Sequence, residues 1–309
     1  MRKYSLAIHG GAGTIRKAAM TPAMEKEYLQ ALSAALAEGY QLLEKGMTAR
    51  EAVIAAVKSM EDCILFNAGR GSVFTHEGRH EMDAAIMDGK SLRAGAIAGV
   101  QFIKNPIELA QAVMDHSEHV MLSGEGALQF ARMHNISIEE DAYFYYDVRY
   151  KQLLSAQSSG DIILDHHIAE DKKFGTVGAV ACDRNGNLAA ATSTGGMTNK
   201  RFNRIGDSPL IGSGTYANNK TCAISCTGHG ERFIEAVAAY DVSCLMEYKG
   251  LSLDEAMKFV VQEKLVAMNG EGGMIGVDPA GNCSMQFNSE GMYRGMKDSE
   301  GNAETLIYQ

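Results

Sequence analysis

Residues 174–200 read FGTVGAVACDRNGNLAAATSTGGMTNK. Two apolar runs, 176–182 and 188–192, flank a polar cluster at 183–187. Its Asn185-Gly186 pair supplies the positive φ of a tight reversal, so the stretch reads as a buried β-hairpin. The second run ends on Ser193-Thr194-Gly195-Gly196. Upstream, residues 155–173 (SAQSSGDIILDHHIAEDKK) hold no sustained period and read as a linker. Thr176, directly after Gly175, therefore sits between a dispensable segment and a buried hairpin. A cut before it would create an N-terminus carrying both a hydroxyl nucleophile and an amine. Such an amine has a reference pKa of about 7.7–8.0 and can act as the base for its own hydroxyl.

Outward from the hairpin, the chain alternates short strands with paired helices. Residues 4–8 predict a strand running into His9-Gly10-Gly11-Ala12-Gly13, read as a glycine turn that lets backbone N–H groups approach something closely. Arg16 stands where a dinucleotide loop needs its third glycine. Thr21-Pro22 opens a helix with Leu29, Leu32, Leu36 and Leu43 on one stripe and Gly46 at its end. Thr48-x-x-Glu51 caps a second, whose inward face carries Val53, Ala56, Val57 and Met60. Strands are expected at 72–75, 81–87 and 92–100, and helices at 106–115, 123–133 and 148–154. Residues 203–219 form a glycine-rich loop holding Arg204 and Asp207, before a strand at 221–226 closed by Thr227-Gly228-His229-Gly230-Glu231. A long helix follows with Phe233, Ile234, Val237 and Leu245 on its apolar side, then one opened by the box Ser252-x-x-Glu255, then a hairpin at 274–287. Tight turns between strands predict mostly antiparallel sheets. Two sheets face to face with helices outside is the economical packing of one α+β domain spanning 1–309.

Composition narrows the function classes. A net charge of −9 on 309 residues offers no basic face to a nucleic acid. No apolar run approaches the ~20 residues of a membrane span, and the apolar start is too short for a secretory leader. Six scattered cysteines, mostly in apolar stretches, read as reduced thiols of a cytoplasmic protein. Cys222 and Cys226 lack the second pair a zinc site needs. His76-Glu77-Gly78-Arg79-His80 matches the H-E-x-x-H zinc-peptidase signature, which requires a helix. Gly78 and the strand-like flanks favour a polar turn instead, with a zinc peptidase kept as an alternative. The adjacent His166 and His167 share no face and read as solvated loop.

For acyl transfer from Thr176, Thr227-Gly228 offers a hydroxyl and close backbone N–H groups as an oxyanion hole. Arg204 and Asp207 could grip the α-carboxylate and α-ammonium of an amino acid. Together with HGGAG and LFNAG, the stretches GTVGAVACDRNGNLAAATSTGGMTNK, RIGDSPLIGSGTYANN and CTGHGE resemble the plant-type asparaginase/isoaspartyl peptidase family of N-terminal-nucleophile hydrolases. The resemblance spans nearly the whole chain. It implies a four-layer αββα sandwich, autocleavage between Gly175 and Thr176 into chains 1–175 and 176–309, and a dimer of such pairs. It implies hydrolysis of β-aspartyl dipeptides and of the asparagine side-chain amide. Thr176 is then the nucleophile, with Thr194 assisting, Thr227 and Gly228 as oxyanion donors, and Asn67 close by. Arg204, Asp207, Thr227, Gly228 and Gly230 bind substrate. No cofactor is required. A structural sodium ion would be held by backbone carbonyls of Met60, Glu61, Cys63, Phe66, Ala68 and Arg70, where Arg70 replaces the family's usual small apolar residue. A glycosylasparaginase-like hydrolase shares this chemistry but is exported and needs a sugar platform, and the chain has no tryptophan. An uncleaved, non-enzymatic binding protein is the remaining alternative.

Overall fold

The hairpin strands β5 (Val177–Cys182) and β6 (Leu188–Thr194) stand in the middle of an eight-stranded sheet. A computed structural model of the chain describes residues 2–159 and 175–309. Around the hairpin lie β1 (Ser5–Gly13), β2 (Met82–Asp88), β3 (Ala94–Val100), β4 (Met121–Ser123), β11 (Gly291–Asp298) and β12 (Ala303–Tyr308). Their order is β12-β11-β1-β5-β6-β2-β3-β4, antiparallel throughout except for β3 with β4. A second, antiparallel sheet has the order β10-β9-β8-β7, with β7 (Thr215–Ala217), β8 (Ala223–Gly228), β9 (Gly272–Val277) and β10 (Cys283–Phe287). The chain is thus an α+β fold rich in antiparallel sheet.

Each hairpin strand is buried on both faces, and the side-chain period of two divides those faces cleanly. Ala179 and Ala181 of β5, with Ala189 and Ala191 of β6, pack in a core with helices α1 (Pro22–Glu44), α2 (Ala49–Glu61) and α3 (Pro106–His116). Val180, Cys182, Leu188 and Ala190 pack in a separate core against Ala223, Ile275 and Val277 of the second sheet. On the far side of β8, Cys222, Ile224 and Cys226 meet helices α7 (Gly230–Ala236), α8 (Ala238–Lys249) and α9 (Leu253–Lys258). The smaller helices α4 (Gly124–Met133), α5 (Asp141–Phe144) and α6 (Asp147–Ser159) fall between α3 and β5 in chain order.

Three of the expected caps form: Thr21 accepts the Met24 N–H, and both capping boxes, Thr48/Glu51 and Ser252/Glu255, close reciprocally. Ser123, expected to cap the helix at 123–133, stands at the N-cap position of α4 but makes no side-chain cap bond. Other expectations are corrected. The His9–Gly13 segment is no turn but the second half of β1, with a bulge between His9 and Gly11. Glycine is required at position 10 because a Cβ there would lie 2.4 Å from the Phe66 ring. Residues 72–75 form no strand beyond one bridge, Thr75 to Lys200. The 203–219 loop contains β7. The expected long helix breaks at Val237, which takes φ +49 and is exposed rather than apolar-facing; the α8 amides of Ala239 and Tyr240 then bond to the Ser213 and Gly212 carbonyls. Residues 155–159 of the expected linker belong to α6. The rest of it up to Phe174, with His166 and His167, lies outside the described residues.

Candidate active site

Residue parity puts the chemistry in one place. Thr176 shares the face of Val180, Thr194 that of Ala190, and Thr227 that of Ala223, so all three point between the two sheets. There, at the end of the seam, Gly175, Thr176, Thr194, Arg204, Asp207, Thr227 and Gly228 line a single cleft of about 430 Å³ including its open mouth. The Thr176 hydroxyl donates to Thr194 Oγ1 at 3.1 Å, and the Gly196 N–H donates to that same oxygen at 3.0 Å. Thr227 Oγ1 accepts the Ala12 N–H at 3.3 Å, which leaves its own proton to be given elsewhere. Gly175 takes φ +44, and a Cβ built on it would stand 3.5 Å from Thr227 Oγ1, so that hydroxyl borders the residue before Thr176. Gly228, at φ +143, leaves no room for a side chain: a Cβ would meet the Glu271 carbonyl at 2.4 Å.

The charged end of the cleft differs from the expected simple pair. Arg204 Nε and Nη2 donate to Glu231 Oε1 and Oε2, each at 2.8 Å, so its fork is committed to a carboxylate of the protein. Burial of Glu231 opposes its ionisation, but the bonds from Arg204 outweigh this and hold the carboxyl below its usual range. Asp207 is buried, and its Oδ2 has no hydrogen-bond partner among the described residues. Burial pushes its carboxyl up to about 7, against the opposing pull of Arg204. Gly230 stands over both residues: a Cβ would lie 2.9 Å from Arg204 Nη2 and 2.9 Å from Asp207 Oδ1. An unpartnered buried carboxylate beside a guanidinium suits a small zwitterion.

The sequence profile described as "Asparaginase" matches residues 2–307. The chain belongs to the asparaginase family. Among its relatives is the "Isoaspartyl peptidase" of Escherichia coli (strain K12), 52% identical over 100% of this chain and 97% of the relative. The "Probable isoaspartyl peptidase/L-asparaginase 2" of Arabidopsis thaliana is 40% identical over the full length of both chains. The "Plant-type L-asparaginase" of Pyrococcus furiosus is 40% identical over 96% of this chain and 98% of the relative.

Asn67 lies outside the lining of the asparaginase-family cleft and acts on its wall. It donates to the Gly196 carbonyl at 2.7 Å, accepts the Val73 N–H at 2.9 Å, and its own carbonyl receives the Gly195 N–H at 3.0 Å. It thus bolts the loop that ends β6. Lys200, the last residue of the 174–200 stretch and without a role in the sequence reading, is buried and donates to the Glu81 carbonyl at 2.8 Å. A Cβ on Gly196 would lie 3.0 Å from its Nζ, so it backs the same loop. Glu231 was quoted within the CTGHGE stretch without a role; an arginine in a half-buried loop needs a counter-charge, and that need was the available signal.

The 60–71 loop is where the family resemblance implies a sodium ion. A Cβ on Gly71 would fall 2.1, 2.9 and 3.0 Å from the carbonyl oxygens of Phe66, Ile64 and Cys63, and one on Gly69 would fall 2.6 Å from that of Glu61. Carbonyl oxygens crowding the two glycines, Ile64 among them, are the donor type of a hard, oxygen-ligated cation. Arg70 lies over the Tyr143 ring at 5.4 Å, which explains a charged residue there. The zinc reading is overturned. Residues 76–80 occupy a turn and not a helix; His76 Nδ1 faces Asn199 Oδ1 at 2.8 Å, while His80 is buried against Phe74 and Ser72. Among the described residues no group of three or more His, Cys, Asp or Glu side chains is placed to hold a metal ion. No described helix is long and apolar enough to cross a membrane.

Proposed function

We propose that the chain is a threonine-nucleophile amidohydrolase that cleaves β-aspartyl dipeptides and the side-chain amide of asparagine. The observation that carries this is the Thr176 hydroxyl, held by Thr194 in the same cleft as Arg204 and Asp207. The names of the relatives agree with it.

Maturation comes first. Thr176 Oγ1 attacks the Gly175 carbonyl carbon, the C–N bond breaks, and the hydroxyl proton passes to the departing nitrogen. Water then opens the resulting ester, leaving chains 1–175 and 176–309, with a free amine on Thr176. The Thr227 hydroxyl beside Gly175 supports an oxyanion role in this step. In turnover the same hydroxyl attacks the substrate's side-chain carbonyl while the α-amine takes its proton. The proton leaves with the amine or ammonia product, and water releases aspartate. Thr227 and the Gly228 N–H receive the negative charge. Asp207 Oδ2 meets the α-ammonium, and the Arg204 edge not taken by Glu231 meets the α-carboxylate. Held at both α-groups, the substrate presents only its side-chain carbonyl. Two facing sheets with helices outside support an αββα sandwich, and the 60–71 carbonyls would hold a sodium ion that rigidifies the loop leading to Asn67. A dimer of αβ pairs in the cytoplasm completes the reading, with the unpaired cysteines in its favour.

Two measurements test it: the intact mass of purified protein, and kcat/KM for β-Asp-Leu against α-Asp-Leu. We expect two masses split before Thr176, and turnover of the β isomer alone, because the α isomer has no free α-carboxylate for Arg204. A single full-length mass with no turnover would leave an uncleaved binding protein; equal rates on both isomers would remove the proposed pocket.

A further inference from the structure

A row of buried polar side chains crosses the seam between the sheets and ends on the nucleophile's own backbone. His9 Nδ1 lies 3.1 Å from the Thr176 carbonyl oxygen, and His9 Nε2 lies 2.9 Å from Ser225 Oγ. Ser225 Oγ is 2.7 Å from Thr192 Oγ1, which is 2.6 Å from Thr215 Oγ1. All four side chains belong to fully buried residues. We propose that the hydroxyls of Thr215, Thr192 and Ser225 fix His9 as a hydrogen-bond donor to the Thr176 carbonyl, which makes His9 a positioning residue for the nucleophile. This rests on the reading of Thr176 above.

The proton positions follow from bookkeeping along the row. A carbonyl can only accept, so Nδ1 carries the hydrogen. Burial disfavours a charged imidazole and lowers the His9 pKa to about 3, against the Thr176 bond that favours the charge. Nε2 is therefore bare and accepts from the Ser225 hydroxyl. The Ser225 oxygen must then receive the Thr192 proton, and Thr192 the Thr215 proton. Competing acceptors exist, the Ser208 carbonyl for Thr215 at 3.0 Å and the Gly214 carbonyl for Thr192 at 3.4 Å. Using either would leave two oxygens 2.6 or 2.7 Å apart with no hydrogen between them. The row thus points one way, toward Thr176.

The fold needs this anchor at that residue. The β1–β5 ladder ends at the pair His9 and Gly178, where the β1 bulge begins, so Thr176 has no strand partner on that side. Gly178 makes the approach feasible, since a Cβ there would lie 2.0 Å from Ser225 Oγ and 2.4 Å from His9 Nε2. Once the chain is cut, Thr176 is a terminal residue, and terminal residues fray unless tied down. His9 ties its carbonyl while leaving its nitrogen free to become the amine.

The test reads the tautomer directly and then its consequence. Protein labelled with 15N-histidine, with the His9 signal assigned by its loss in His9→Asn, should show His9 protonated at Nδ1 and bare at Nε2, without titration between pH 8 and 5. In Ser225→Ala the Thr176 carbonyl still selects Nδ1–H, but the ring loses its partner at Nε2, so its 15N signals should shift and broaden. Kinetically, Ser225→Ala and His9→Leu should lower kcat by about 10²-fold with KM nearly unchanged. His9→Asn, whose amide can reach the same carbonyl, should recover part of that loss. A wild-type His9 protonated at Nε2, or one titrating near pH 6.5, overturns the proposal even if every variant fails to fold. So does Ser225→Ala with wild-type kcat. If Thr176 is not the nucleophile, Thr176→Ala stays active while the tautomer result stands, so the two failures are separable.

Discussion

Arg204 and Glu231 face each other as a two-pronged ion pair, Nε and Nη2 each 2.8 Å from a carboxylate oxygen. In the proposed reading the substrate would meet an arginine already held in place, with Glu231 setting the direction in which the remaining Nη1 edge points. Removing Glu231 frees the guanidinium to sample other rotamers. Glu231→Ala should raise KM for β-Asp-Leu by roughly tenfold, about 1.4 kcal/mol, with a smaller change in kcat. Arg204→Ala should cost about 2–5 kcal/mol in kcat/KM, because the substrate carboxylate would be buried without a partner. Steady-state kinetics on the three proteins checks both; an unchanged KM in Glu231→Ala removes the orienting role.

Thr194 receives two hydrogen bonds, one from the Thr176 hydroxyl and one from the Gly196 amide. Thr194→Val keeps the shape and deletes the acceptor. We expect kcat to fall by roughly 10²-fold or more and self-cleavage to slow in parallel, with Thr194→Ser close to wild type. Stopped aliquots read by mass spectrometry follow the cleavage.

Asp207 supplies a pH dependence with a definite sign. Its carboxyl is raised by burial to about 7, so below that pH it is neutral and cannot pair with an ammonium. The free Thr176 amine of the proposed mature chain, acting as the base, would also lose function on protonation. The acid limb of the kcat/KM profile should therefore approach a slope of two below pH 7. In Asp207→Asn it should approach one, at a lower plateau. A slope of two in the variant would assign the second proton to another group.

His80 illustrates how far a motif can sit from its usual role. Its ring packs 4.1 Å from that of Phe74 and 5.8 Å from that of Phe144, with Nδ1 hydrogen-bonded to Ser72. His80→Ala should destabilise the protein by roughly 2–4 kcal/mol through the cavity it leaves. His76→Ala should change the melting temperature little. Exhaustive treatment with EDTA should leave activity intact; loss that zinc restores would revive the metallopeptidase reading.

Much of the fold was legible because the deciding signals are local. Asn185-Gly186 between two apolar runs, and serine or threonine three residues ahead of glutamate, act within a few residues of themselves. The misses share a different cause. β11 pairs with β1 from almost the opposite end of the chain, and β12 is a largely exposed edge, so neither announces itself by an apolar period. Val237 adopts a left-handed conformation that no β-branched residue prefers; the Gly212 and Ser213 carbonyls that receive the following amides make it tolerable. The glycines after His9 read as a turn, whereas Phe66 pressing on position 10 and φ +116 at position 11 require Gly10 and Gly11 within a strand. Within the site, Thr176, Thr194, Arg204, Asp207 and Thr227 meet in one cleft as the motifs implied. Glu231, His9, Ser225 and Lys200 were hidden, since their partners are chosen by how distant strands cross.

The strand order of the larger sheet has a mechanical consequence. Divided at the bond before Thr176, it runs β12 and β11 from the second piece, β1 from the first, β5 and β6 from the second, then β2, β3 and β4 from the first. The two polypeptides would be interwoven like the fingers of clasped hands. β1 of the first piece would lie between two strands of the second, and the β5–β6 pair of the second between two strands of the first, so pulling them apart means tearing the middle of the ladder. No covalent bridge is needed to keep such halves in one particle through dilution, and denaturant is the means of separating them. A hydrolase assembled this way could sever its own backbone and lose none of its body.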